Sequence, residues 1–143
     1  SGVEEALHTA AKAANKPISG LETMEQQFSF FDSLSEESQI AFLLETVEKL
    51  PEAGPMLDKM VVEWGAGDAD GLAALMNEGL KSAPQVGKVL LADRNARWAE
   101  WIQTRLDKPG TVFVAVGAGH LAGSESVQTY LAKRKIKATR INY

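Results

Sequence analysis

The chain has 143 residues, 45% hydrophobic and 24% charged, which fits one globular domain and excludes a disordered or collagen-like polymer. Its 15 Lys and Arg against 19 Asp and Glu give a net charge of -4, so there is no general attraction for nucleic-acid phosphates. With no cysteine, disulfides, thiolate chemistry and sulfur-ligated metals are excluded, and no apolar run reaches the ~18 residues needed to span a membrane.

The N-terminus lacks the charged-then-apolar pattern of a signal peptide. Ser1-Gly2 reads as a cloning or cleavage remnant, with the natural start expected to be cut away. Val3, Leu7, Ala10, Ala11 and Ala14 keep helical spacing until Asn15-Lys16-Pro17, where proline turns its predecessor away from the α region. KPISGLE then resembles a short buried strand closed by Gly20. Thr23 is placed to cap a brief helix through Phe31, with Gln26 set for a capping box. Ser35 is the expected N-cap of the next helix, with Ile40, Phe42, Leu43, Leu44, Val47 and Leu50 as its apolar stripe and Pro51 as its end.

A further helix is expected from about Pro55 to Trp64, with Met56, Leu57, Met60 and Val61 inward, broken by Gly65-Ala66-Gly67. Asp68 or Asp70 caps the next, which carries Leu72, Leu75, Met76 and Leu80. The longest periodic segment runs from Gln85 to Leu106, with Val89, Leu90, Ala92, Trp98, Trp101, Ile102 and Leu106 as candidate core. Lys108-Pro109-Gly110 turns the chain into TVFVAV, whose β-branched and aromatic content suggests a strand buried on both faces. The last helix should begin at Ser124 or Glu125 and reach about Lys135, before a terminal strand KATRINY.

Strand, glycine turn, helix and strand over 111–143 make a βαβ unit with parallel strands and a right-handed crossover. The expected fold class is therefore α/β, one domain over 1–143, with a helix-rich layer on a small, mostly parallel or mixed sheet. Three strands beneath about six helices look too few, as if the domain were an incomplete portion of a larger one. The basic cluster Lys133-Arg134-Lys135 with Lys137 and Arg140 suits a solvated helix end better than a nucleic-acid patch.

Gly117-Ala118-Gly119-His120-Leu121-Ala122 loosely matches the glycine fingerprint of dinucleotide-binding turns. Such a site also wants an acidic residue about 20 positions on, where this chain has Lys137, Ala138, Thr139 and Arg140, so that reading is disfavoured. Two readings of His120 remain: a satisfied polar residue in a turn whose glycines take positive φ, or a neutral imidazole at a strand's C-terminal end that binds a metal or acts as a general base. Glu22, just past KPISG, could be a metal ligand or an acid-base carboxylate, against a plain helix N-terminal carboxylate. Arg94 and Asn95, in ADRNARWAEW, put a forked guanidinium and an amide before Trp98 and Trp101; Arg94 could bind an anion or hold Glu22 in place. His8, among small residues of the first helix, reads as structural.

Taken together and in this order, GLET-x-EQ, DRN-x-RW and TVFVAVGAGHLAG resemble the TraB/GumN family, which includes the TIKI metalloproteases and is related to haem-binding lipoproteins. The resemblance runs from about Gly2 to Tyr143. It implies an active site of two Gly-x-x-His elements with carboxylates and an Arg-Asn pair. Gly117 to His120 fits the second such element, Glu22 the glutamate, and Arg94 and Asn95 the pair. The first Gly-x-x-His element has no counterpart here. The chain is therefore expected to be the C-terminal portion of a bacterial protein whose parent is a metal-dependent hydrolase, with peptides as one substrate class, and to be inactive by itself. His120 and Glu22 are the expected metal ligands, zinc or manganese the expected ion, and an envelope, periplasmic or extracellular setting is expected for the parent. The rival reading is a non-catalytic protein whose cleft, with Phe28, Phe30, Phe31, Trp98 and Trp101 near it, holds a peptide or haem-like ligand. A homodimer covering surface exposed by the truncation is a further expectation.

Overall fold

The computed structural model describes residues 2–141, and among them the chain is all helical. Nine helices follow in order: α1 Val3–Ala13, α2 Met24–Asp32, α3 Glu36–Lys49, α4 Ala53–Ala66, α5 Ala69–Met76, α6 Glu78–Ser82, α7 Pro84–Gly87, α8 Asp93–Leu106 and α9 Val127–Lys133. A 3-10 turn, Leu50–Glu52, joins α3 to α4, a π turn, Lys88–Ala92, leads from α7 into α8, and a second 3-10 turn spans Ala118–His120. None of these helices is long and apolar enough to cross a membrane.

The helix starts follow their capping chemistry. Thr23 Oγ1 accepts from the Gln26 amide while Gln26 Oε1 accepts from the Thr23 amide, a reciprocal capping box. Ser35 and Asp68 cap α3 and α5 through the amides of Ser38 and Gly71. At the last helix the cap is Ser126, two residues beyond Ser124, and it accepts from Thr129. The periodic segment from Gln85 to Leu106 is helical throughout, as three joined pieces. Its widened π turn brings the Leu90 carbonyl to Arg94 Nη1, at 3.1 Å.

The core forms where α8 crosses α9: Trp98, Ala99, Val127 and Leu131 are buried together. Leu21 and Val116, from two of the three segments expected to be strands, pack against that cluster, as does Ile136 just before the third. The α/β class is overturned, because no strand or sheet forms among the described residues. A strand exists through its ladder, and among the described residues, 111–116 take part in no backbone hydrogen bond with the other two segments. TVFVAV is also not buried on both faces as a parallel strand would be: Phe113 is 78% exposed and Val112 is exposed too. Asn142 and Tyr143 of the expected terminal strand lie outside the described residues.

Several expected core positions also face outward. Leu57 and Val61 of α4 are exposed, while Met56 and Met60 are half-buried. Met76, Trp101 and Leu106 are exposed as well. Leu72 and Trp98 are buried as expected, and Leu34, Ala73, Val86, Ala122 and the rest of the α8/α9 cluster are buried with them.

Candidate functional site

The site begins with the register of α8. Residues three and four apart on a helix share a face, so Arg94, Arg97 and Trp98 form one ridge. Arg94 reaches Glu22 across the chain: its Nε donates to both carboxylate oxygens at 3.1 Å and Nη2 to Oε2 at 2.8 Å. The Glu22 side chain is only 5% exposed, so the forked pairing is what makes a carboxylate tolerable there. Arg97 approaches the other Glu22 oxygen at 3.8 Å and remains half exposed. Both guanidinium groups lie over the Phe30 ring, at 5.5 Å for Arg94 and 4.8 Å for Arg97, and Arg94 also lies 5.0 Å from Trp98. Phe30 and Trp98 are thus committed to holding the arginines.

One residue along, Asn95 is 0% exposed and points toward the glycine turn. Its Nδ2 donates to the Glu125 carbonyl at 2.6 Å, and its Oδ1 lies 2.6 Å from His120 Nδ1. A carbonyl oxygen can only accept, so the Glu125 bond fixes which end of the amide faces the imidazole. Oδ1 also can only accept, so His120 carries its proton on Nδ1 and keeps the Nε2 lone pair. The ring packs tilted against Trp98, with centroids 4.5 Å apart. Burial pushes the His120 pKa down to about 4, helped by the positive charge of Arg94 and opposed by Glu22. The imidazole is therefore neutral at physiological pH.

The turn itself is held by packing. Gly117 has φ -59 and Gly119 sits in the 3-10 turn, so neither uses the left-handed region; the positive φ falls at Gly123. Gly119 is favoured by proximity: a Cβ there would lie 3.2 Å from Asn77 Oδ1 and 3.6 Å from Met76 Cε, so the Asn77 side chain would have to give way. Asn77 Nδ2 donates to the Gly119 carbonyl at 3.1 Å, which fastens the turn to the end of α5. His120 thus owes its setting to α5 and α8, since no strand leads into it.

The structure brings Glu22, Arg94, Asn95 and His120 into one neighbourhood. His8 is exposed on α1. Sequence reasoning missed Arg97, Asn77 and the Glu125 carbonyl, and it placed Phe30 beside a ligand cleft and not under the two arginines. Helical spacing from Arg94 could have found Arg97, whereas nothing in the sequence marks Asn77. Two clefts of about 690 and 710 Å³ are lined by none of the four expected site residues; the first holds Asp70, Lys88, Asp93, Glu125 and Tyr130. There the Tyr130 hydroxyl donates to Glu125, and that bond, with burial, pushes the phenol up to about 12.

Trp98 Nε1 is buried with no hydrogen-bond partner among the described residues, on the same ring that lies tilted against the imidazole. An unpaired donor of this kind costs about 1–3 kcal/mol.

No curated protein and no solved structure matches the chain. The family model for the TraB/PrgY/gumN family matches residues 1–140, and the chain belongs to that family.

Proposed function

We propose that this chain carries the histidine element of a metal-assisted hydrolase site, with peptides as the first substrate class to test. The observation that carries the reading is the tautomer of His120: Glu125 orients Asn95, Asn95 takes the Nδ1 proton at 2.6 Å, and Nε2 is left with a lone pair on a neutral ring. Histidines that bind metals characteristically give their other ring proton to such an oxygen, which fixes the ring and its basicity. A pKa of about 4 suits a ligand better than a general base, because a base works best with a pKa near the working pH.

His120 fits as one ligand of a divalent ion such as zinc or manganese. Both Glu22 oxygens accept from Arg94, so as a second ligand Glu22 would offer the ion only its remaining lone pairs. No group of three His, Cys, Asp or Glu is arranged to hold an ion among the described residues. Further donors would be needed to complete the site. A bound ion would supply Lewis-acid activation of water; the chain's own residues orient the imidazole, and they hold Arg94 and Arg97 beside it through Glu22 and Phe30. Arg94 is charge-balanced by Glu22, so Arg97, half exposed and with only a long contact to that carboxylate, is the guanidinium with donors to spare for negative charge on a substrate.

Calorimetric titration with zinc and with manganese, on the wild-type chain and on His120→Ala, tests the reading. Binding in the micromolar to millimolar range that disappears in the variant supports it. Equal binding by both proteins, or none by either, refutes it for this chain.

A further inference from the structure

The helix α3 has its polar side anchored and its apolar side uncovered. Glu45 accepts from Lys49 Nζ at 2.8 Å and from Ser82 Oγ at 2.5 Å, which turns that side of α3 toward α6 and α7. On the opposite side Ile40, Leu43, Val47 and Leu50 are between 51% and 67% exposed. Ile40, Leu43, Val47 and Leu50 fall at the a, d, a and d positions of two heptads, with β-branched residues at a and leucine at d. That choice favours two-stranded pairing. Gln39, Leu44 and Thr46 occupy the flanking g, e and g positions, so two copies would meet without opposing like charges. Across the 3-10 turn, Leu57, Val61 and Trp64 of α4 continue as a second exposed stripe at i, i+4 and i+7.

The chain exposes 10512 Å², against roughly 7,200 Å² expected of a folded monomer of 15.4 kDa. That excess, about 3,300 Å², is spread over the whole chain, and the α3 and α4 side chains contribute to it; a standard interface takes only ~800 Å² from each partner. Monomers rarely leave contiguous apolar patches beyond a few hundred Å² uncovered.

We infer that the α3 seam, extended by α4, is the interface of a homodimer, with the seam of one copy set against the same seam of the other. A two-fold arrangement makes the patch its own complement, and the a and d residues are of the kind that fills such a seam.

Sedimentation velocity on the full chain at about 100 µM reads the association state. The wild type is expected to sediment as a dimer, and Leu43→Glu with Val47→Glu to raise the dissociation constant by roughly 100-fold or more. Both positions are exposed, so an unchanged far-UV spectrum is expected of the double variant. Leu43→Ser, which adds no charge, should weaken the dimer in the same direction by less. Phe113→Glu alters another exposed apolar surface and should leave the dimer intact. A monomeric wild type overturns the proposal and gives the seam to a different partner. A dimer that survives the seam variants, or that is lost in Phe113→Glu alone, overturns it as well.

Discussion

Replacing Asn95 with alanine probes the link between fold and site most sharply. The side chain is 0% exposed and its two hydrogen bonds, both 2.6 Å, join α8 to the Glu125 carbonyl and to His120. Truncation strands two partners at once, a buried carbonyl and the Nδ1–H of the imidazole. At about 1–3 kcal/mol for each group left unpaired, the expected loss is roughly 4 kcal/mol in urea unfolding, a drop in Tm of about 10 °C. The same change removes the acceptor that selects the tautomer, so the Nδ1–H form should no longer dominate in ¹⁵N spectra. Asn95→Asp provides the contrast: it keeps an acceptor for His120 but offers no donor to Glu125, and its charge should raise the imidazole pKa while stability still falls. A loss below about 1 kcal/mol in Asn95→Ala with an unchanged tautomer would show that His120 is set by something other than this amide.

Other consequences can be measured separately. Because the His120 pKa is lowered from 6.5 to about 4, folding should lose stability as pH falls from about 6.5 to 4, on the order of 1–2 kcal/mol once the ring's partial exposure is allowed for, and this part of the loss should vanish in His120→Gln. The sign follows from the unfolded state binding the proton first; a loss of the same size in the variant would contradict it. Arg94→Ala leaves the Glu22 carboxylate buried beside only the distant Arg97 and should cost about 3–5 kcal/mol, with Glu22→Leu/Arg94→Met recovering most of it in denaturant melts. Gly119→Ala should destabilise by about 1 kcal/mol, since its Cβ crowds Asn77, whereas Gly117→Ala, whose Cβ would lie 3.9 Å from His120 Cδ2, should change stability by less than about 0.5 kcal/mol. Thr23→Ala, which removes one half of the α2 capping box, should cost about 1 kcal/mol by thermal unfolding.

What the sequence made legible was what is decided locally. Caps at Thr23, Ser35 and Asp68 depend on a hydroxyl or carboxylate within three residues of an amide, and all three are found. TVFVAV has the composition of a strand, but a strand needs a ladder partner supplied from elsewhere, and Phe113 shows how exposed the segment is without one. Leu57 and Val61 keep helical spacing too, yet spacing says only that a face is apolar, not what covers it.

The three blocks GLET-x-EQ, DRN-x-RW and TVFVAVGAGHLAG carried the family. They also named four residues that the fold gathers, Glu22, Arg94, Asn95 and His120. The details that give those residues their character were not readable. The tautomer of His120 depends on a backbone carbonyl 30 residues from Asn95, and the role of Gly119 depends on Asn77, 42 residues away. That Glu22 pairs with Arg94, 72 residues away, is likewise settled by three-dimensional proximity.

The most direct test is the ¹⁵N spectrum of the His120 imidazole as a function of pH, in a His8→Gln background so that one ring remains. The proton is expected on Nδ1 with Nε2 unprotonated, and the ring should stay neutral until the pH approaches about 4. A proton on Nε2 at neutral pH, or titration near the ordinary 6.5, would contradict the account.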